Sequence, residues 1–210
     1  MIFPTASLFA ILLSVSSNAS PVFRAGGSQT ITAVIGENFS GGSQTNRINV
    51  GPSRSGGNQN IQTGIFDNAA MGSQSNTINM GRLRAGGSQA VSAGIEGNSA
   101  LGSQFNGINF GPSTSARGSQ TISAGIQGNS ALGSQVNNIK FGPTRAGGAQ
   151  TMEAFVSKNS AAGFQSNNIN IGNSRARGDQ TISTGIVGNH ALGGQSNGIN
   201  IGKKPARWVF

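Results

Sequence analysis

Amide side chains recur along this chain at a spacing that would let them hydrogen-bond to one another. Two sets of six glutamines alternate at steps of 15 residues, with a single step of 16 between Gln104 and Gln120. The first set is Gln29, Gln59, Gln89, Gln120, Gln150 and Gln180, and the second is Gln44, Gln74, Gln104, Gln135, Gln165 and Gln195. Because an amide both donates and accepts, a stacked column of amides can satisfy its own hydrogen-bonding groups.

An asparagine stands two residues after every glutamine of the second set. These residues are Asn46, Asn76, Asn106, Asn137, Asn167 and Asn197. We expect all three sets of amides to point inward and to form ladders along a stack of repeats, which would hold the repeats together.

Positive charge also recurs, since the chain has 14 Lys+Arg against 5 Asp+Glu. One arginine precedes the first glutamine of each repeat, with Arg117 displaced where the extra residue lies: Arg24, Arg54, Arg84, Arg117, Arg145 and Arg175. Such a column would bind anionic partners, for example acidic glycans or microbial surfaces. The alternative is that it only keeps the edge soluble and resists sideways association of strands.

No catalytic or metal-binding pattern is visible among the titratable residues. The single histidine, His190, occupies a place where three other repeats have serine, and cysteine is absent. The five acidic residues do not recur, whereas a calcium-binding repeat needs an aspartate in every unit. We therefore expect a protein without enzymatic activity, cofactor or metal.

The residues around the glutamines predict the elements that carry them. Apolar residues follow each glutamine at even offsets, as in Ile122 and Ile126 after Gln120, or Ile139 and Phe141 after Gln135. Even offsets place these side chains on one face of a β-strand. Turns rich in Gly-Asn and in Gly-Pro separate the strands, and the 34 glycines oppose helix formation.

The sequence thus predicts an all-β fold, a β-solenoid of six 30-residue rungs with two strands per rung, over residues 28–202. Stacking at about 4.8 Å would place like residues over like. A coil of 15 residues is the alternative, but it would place isoleucine over asparagine at the position two residues after each glutamine.

The two ends differ from the repeats. Residues 1–19 are typical of a cleaved secretory signal peptide, with a membrane anchor as the alternative, so we expect a secreted, extracellular protein. Secretion would make nucleic acid an unlikely partner. Residues 20–27 form an N-terminal lead, and the basic and aromatic tail 203–210 would cap the last rung. Whether the glycosylation sequon at Asn38 is used stays open.

Five repeats share the motif Asn-x-Ala-x-x-x-Gln, for example Asn129, Ala131 and Gln135, and the first has Ser40 in place of alanine. This motif resembles the curlin repeat of the subunits of bacterial curli fibres. The resemblance implies a β-solenoid rung of two strands and amyloid assembly by end-to-end stacking.

The leading expectation is a secreted structural protein that assembles with itself into amyloid-like fibres or an extracellular matrix. A cationic defence or surface-binding protein that acts through the arginine column is the alternative. A minor alternative is ice binding through the partial threonine row formed by Thr30, Thr121, Thr151 and Thr181.

Overall fold

The protein is a stack of short parallel strands, seen in a computed structural model that describes the strand at residues 6–9 and the whole of residues 23–202. The chain winds six times, and we number the turns rung 1 (residues 23–50), rung 2 (53–80), rung 3 (83–110), rung 4 (114–141), rung 5 (144–171) and rung 6 (174–201). Each rung contains a three-residue strand, a long strand, a two-residue strand and a second long strand, in that order.

Four parallel sheets result, because each strand pairs with the corresponding strands of the neighbouring rungs. The first long sheet contains β1 (Ala6–Phe9), β3 (Gln29–Gly36), β7 (Gln59–Phe66), β11 (Gln89–Glu96), β15 (Gln120–Gln127), β19 (Gln150–Ser157) and β23 (Gln180–Val187). The second long sheet contains β5 (Gln44–Val50), β9 (Gln74–Met80), β13 (Gln104–Phe110), β17 (Gln135–Phe141), β21 (Phe164–Ile171) and β25 (Gly194–Ile201).

Two narrow sheets close the edges of the solenoid. The three-residue sheet contains β2 (Phe23–Ala25), β6 (Ser53–Ser55), β10 (Leu83–Ala85), β14 (Thr114–Ala116), β18 (Thr144–Ala146) and β22 (Ser174–Ala176). The two-residue sheet contains β4 (Phe39–Ser40), β8 (Ala69–Ala70), β12 (Ser99–Ala100), β16 (Ser130–Ala131), β20 (Ser160–Ala161) and β24 (His190–Ala191).

The register confirms the six-rung solenoid and its 30-residue period. Residues pair with their counterparts one full repeat away, as in Ile48 with Ile78, and the 15-residue coil is therefore wrong. The two long strands of each rung are those that the sequence predicts. The two short strands were not predicted, because two or three residues are too few to show an alternating pattern.

The extra residue of the fourth repeat is absorbed in a turn. Gly111, Pro112 and Ser113 separate β13 from β14, whereas two residues make the same connection in the other rungs. Phe110 still pairs with both Met80 and Phe141, so the insertion does not disturb the register of the long strands.

The core is a set of apolar columns between the two long sheets. Ile95, Ile126 and Ile139 have no exposed surface, and an inward alanine in the middle of most first long strands leaves room for the larger side chains opposite. The rings of Phe110 and Phe141 lie with their centroids 4.6 Å apart. Like stacks on like because every rung presents nearly the same residues to its neighbour.

The predicted signal peptide, apart from β1, and the tail 203–210 lie outside the described residues. The backbone of β1 pairs in parallel with the outer edge of β3, with Ala6 opposite Gln29. Within the described ranges, no helix is long and apolar enough to cross a membrane.

We expect replacement of Ile139 by alanine to lower the free energy of unfolding by about 2 to 5 kcal/mol, because it opens a cavity in a column with no exposed surface. The matched control is Val136→Ala, on the outer face of the same strand, which should change stability by less than about 1 kcal/mol. Urea unfolding followed by circular dichroism measures both changes. Equal losses in the two variants would contradict this assignment of the faces.

Candidate functional site

The two glutamine sets form two continuous ladders inside the solenoid. In each ladder the amide nitrogen of one glutamine donates to the side-chain oxygen of its counterpart in the preceding rung. Gln120 donates to Gln89 over 2.7 Å, and Gln135 donates to Gln104 over 2.7 Å. The same bond links every successive pair from Gln29 to Gln180 and from Gln44 to Gln195.

The asparagines of the second long strands form a third ladder with the opposite direction. Asn76 donates to Asn106 over 3.0 Å, and Asn106 donates to Asn137 over 2.9 Å, so each amide donates to the following rung. The ladder extends from Asn46 to Asn197. Asn76, Asn106 and Asn137 have no exposed surface, and each has both a donor and an acceptor partner in the ladder.

A fourth ladder, which was not predicted from the sequence, lies at the turn that precedes the two-residue strand. It consists of Asn38, Asn68, Asn98, Asn129, Asn159 and Asn189. The Nδ2 atom of Asn98 donates to Asn129 Oδ1 and to two backbone carbonyls, those of Ile65 and Glu96. Asn98 Oδ1 accepts from the backbone N–H of Asn68 as well as from its amide.

The asparagine of this turn does not itself have the positive φ that asparagine and glycine both reach at low cost. The residue before it has the positive φ, for example Gly97 at 67° and Asp67 at 49°. Because the chain reverses one residue earlier, the asparagine side chain turns inward. The preceding position varies among glycine, glutamate, aspartate and lysine, whereas asparagine is present in all six copies. This constancy was the feature of the sequence that could have predicted a structural role for the asparagine side chain.

Among the described residues, these ladders leave no buried side-chain nitrogen or oxygen atom without a hydrogen-bond partner. An unpaired buried amide costs about 1 to 3 kcal/mol, so each rung depends on its neighbours to hold its polar groups. Each ladder ends in rung 1 and in rung 6, and at each of these ends one side-chain donor or acceptor has no partner within the ladder.

The two ends of the solenoid differ in exposure. Ile199 and Ile201 of rung 6 are each 46% exposed, whereas Ile169 and Ile171, which occupy the same places in rung 5, are fully buried. In the described part of the chain, β22, β23, β24 and β25 pair on one side only. In rung 1, Ile31 and Ile48 are buried, and β3 has β1 on its outer edge.

The arginine column lies on the edge made by the three-residue sheet. Arg24, Arg54 and Arg84 are direct neighbours, and Arg145 and Arg175 continue the row after an interruption by Ser115 in rung 4. Arg117 lies just outside the row, at the place in rung 4 that Arg177 takes in rung 6. Their backbone N–H groups donate to the backbone carbonyl oxygens of Ala85 and Ala146, respectively. All of these arginines are exposed.

The opposite edge is apolar. The residue that follows the two-residue strand is Met71, Leu101, Leu132 or Leu192 in four of the rungs, and each of these side chains is more than half exposed. The solenoid therefore has one cationic edge and one apolar edge.

The threonine row lies on the outer face of the first long sheet and is not continuous. Thr121, Thr151 and Thr181 are neighbours, but Asn60 and Ala90 separate them from Thr30. His190 is exposed at the start of a two-residue strand. Within residues 6–9 and 23–202, no three histidine, cysteine or acidic side chains converge on a common point.

Comparison of the chain with protein-family models, with curated proteins and with solved structures gives no significant match.

We expect Asn106→Asp to make stability depend on pH. A protonated carboxyl can donate to Asn137 and accept from Asn76, as the amide does, whereas burial without exposed surface disfavours the charged form and raises the pKa of the introduced group. The unfolded carboxyl has a pKa of about 3.9, so the variant should match the wild type below that pH. Its penalty should grow as pH rises, to at most about 4 kcal/mol at pH 7.

The control is Asn109→Asp, on the exposed face of the same strand, which should show no such penalty. Urea midpoints of both variants and the wild type between about pH 3 and 7 test this difference. A midpoint for Asn106→Asp that follows the wild type across the whole range would mean that the ladder does not exclude charge.

Proposed function

We propose that the protein is a secreted structural protein, without catalytic activity, that assembles with itself by stacking rung 6 of one copy on rung 1 of the next. The open face of rung 6 is the observation that carries the proposal. It combines two half-exposed isoleucines with four strand edges that have no partner strand among residues 6–9 and 23–202. Such an edge is a template for pairing with another chain.

The residues that would meet at the junction are of the same types as those that pair between neighbouring rungs. In a stacked pair, Ile199 and Ile201 of one copy would meet Ile48 and Val50 of the next, and Asn197 would meet Asn46. These are the same kinds of pair that join rungs 1 and 2, where Ile48 faces Ile78 and Asn46 faces Asn76. The junction would therefore bury apolar surface without creating a new type of contact.

The direction of the ladders favours head-to-tail stacking over contact between two identical ends. Both glutamine ladders donate toward rung 1, so they end in an acceptor at Gln180 and Gln195 and in a donor at Gln29 and Gln44. A second copy stacked head to tail would offer its Gln29 and Gln44 donors to those acceptors. Two rung 6 faces would instead oppose acceptor to acceptor.

The asparagine ladder that ends at Asn197 has the reverse direction and supports the same arrangement. It ends in a donor at Asn197 and in an acceptor at Asn46. Head-to-tail contact again pairs a donor with an acceptor. A head-to-tail contact does not close on itself, so it would generate filaments rather than dimers.

Removal of the predicted signal peptide would open the other end. The strand β1 lies within residues 1–19 and occupies the outer edge of β3, the edge that a second copy would use. Cleavage after residue 19 would free that edge, so assembly would be restricted to the processed chain. The curlin-like motif is a second reason to expect end-to-end stacking.

We expect the double variant Ile199→Lys/Ile201→Lys, prepared without residues 1–19, to stay monomeric at concentrations where the wild-type chain forms filaments. Two buried, unpaired ammonium groups at the junction would oppose docking. Val187→Lys/Leu192→Lys adds the same charge to the same rung at side chains that are 65% and 75% exposed, and it should still assemble. Sedimentation velocity and electron microscopy measure the outcome.

Three results would contradict the proposal. A wild-type chain without residues 1–19 that stays monomeric at high concentration would exclude self-assembly. Assembly of the Ile199→Lys/Ile201→Lys variant to the wild-type extent would show that rung 6 is not the contact surface. Filaments whose diffraction lacks the strand spacing of about 4.8 Å along the fibre axis would exclude rung stacking.

A further inference from the structure

The cationic edge contains a groove at the place where the arginine column is interrupted. Its volume is about 760 Å³, and it extends across rungs 2 to 5. Five arginines line it: Arg54, Arg84 and Arg145 from the column, and Arg82 and Arg117 from the adjoining turns. Besides the arginines, its lining includes proline, serine, glycine and alanine residues.

The interruption itself forms the groove. Ser115 stands in rung 4 where the other rungs have arginine, and its short side chain leaves a gap between Arg84 and Arg145. Pro112 and Pro143 also line the groove. The extra residue of the fourth repeat displaces the missing arginine to position 117, from where it still lines the groove.

Bare backbone makes part of the groove lining, at Gly56 and Gly86. A Cβ atom on Gly86 would lie 2.1 Å from the carbonyl oxygen of Gly56, so a side chain at this position would force the backbone to shift. The missing side chains let a ligand approach the peptide groups between the arginines. The lining thus combines guanidinium donors with polar backbone and the side chains of Ser113 and Ser115.

The charge of the lining specifies an anion with several charged groups. All five arginines are exposed, and no acidic residue lines the groove. A guanidinium group presents a planar fork of donors that fits carboxylate, sulfate or phosphate oxygens. Because the arginines come from successive rungs, they would contact a chain with repeated anionic groups along the solenoid axis.

The absence of aromatic side chains from the groove lining favours a polysaccharide over a nucleic acid. Single-stranded nucleic acid binding relies on bases that stack on aromatic side chains, and the groove lining offers none. We propose that this groove binds an acidic polysaccharide with sulfate or carboxylate groups, which lies along the edge between Arg54 and Arg145.

This site does not depend on self-assembly. The groove is formed by rungs 2 to 5, while the proposed junction is formed by rungs 1 and 6. A single copy would therefore bind the polysaccharide, and a filament would carry one groove per copy along one edge. Loss of one property would leave the other measurable.

The test compares two variants with the same net charge. Arg84→Gln/Arg145→Gln removes two groove arginines, and Arg47→Gln/Lys140→Gln removes two exposed cations from the outer face of the second long sheet. Binding of dextran sulfate to the full chain, at monomer concentrations and about 0.15 M salt, is measured by calorimetry with unsulfated dextran as the neutral probe. Circular dichroism checks that each variant keeps its fold.

We expect dextran sulfate to bind and unsulfated dextran not to bind. The groove variant should lose at least about tenfold in affinity, since it lacks two guanidinium groups that would donate charge-assisted hydrogen bonds to the sulfates. The control should lose less than about threefold. Equal losses in the two variants would show attraction by net charge alone and would overturn the proposal. Tighter binding of single-stranded poly(dT) than of dextran sulfate would also overturn it.

Discussion

The structure depends on one constraint: a buried amide must find its hydrogen-bond partner in the next rung. Four ladders pass through the interior, two of glutamine and two of asparagine, and they fix which residue lies over which. A slip of one residue would turn every amide and isoleucine to the other face. The apolar columns supply cohesion, and the ladders supply the register. Because each rung satisfies the polar groups of its neighbours, the ladders of the described residues end at rungs 1 and 6 with amide groups that a further rung could satisfy.

These open ladder ends connect the fold to the proposed assembly. The polar groups that one copy leaves at rung 6 are those that rung 1 of another copy could satisfy. The arginine column would also continue across the junction, with Arg175 beside Arg24, as Arg24 already lies beside Arg54. Like charges at that spacing are tolerated within the molecule because the side chains are exposed, and salt or a bound polyanion would reduce their repulsion.

Much of the fold could be predicted because the chain repeats its own pattern six times. Comparison of the six copies also shows where one repeat departs from the others, as at Ser115, and which residues of a turn vary while the asparagine does not. The short strands, the asparagine ladder at the turn and the groove were not predictable in the same way. The ladder depends on one residue of positive φ that glycine, aspartate and lysine can all provide. The groove depends on a gap, and Ser115 shows its effect only where neighbouring arginines surround it.

Disulfide trapping tests the central claim most directly, because the chain has no cysteine of its own. Asn200 in rung 6 and Asn49 in rung 1 occupy equivalent outer positions, so head-to-tail stacking would bring their Cα atoms within the range that a disulfide spans, about 4.4 to 6.8 Å. Chains without residues 1–19 that carry Asn200→Cys would be mixed with chains that carry Asn49→Cys and oxidised. The account predicts disulfides between the two kinds of chain. Disulfides only between like chains, or none in assembled material, would contradict it.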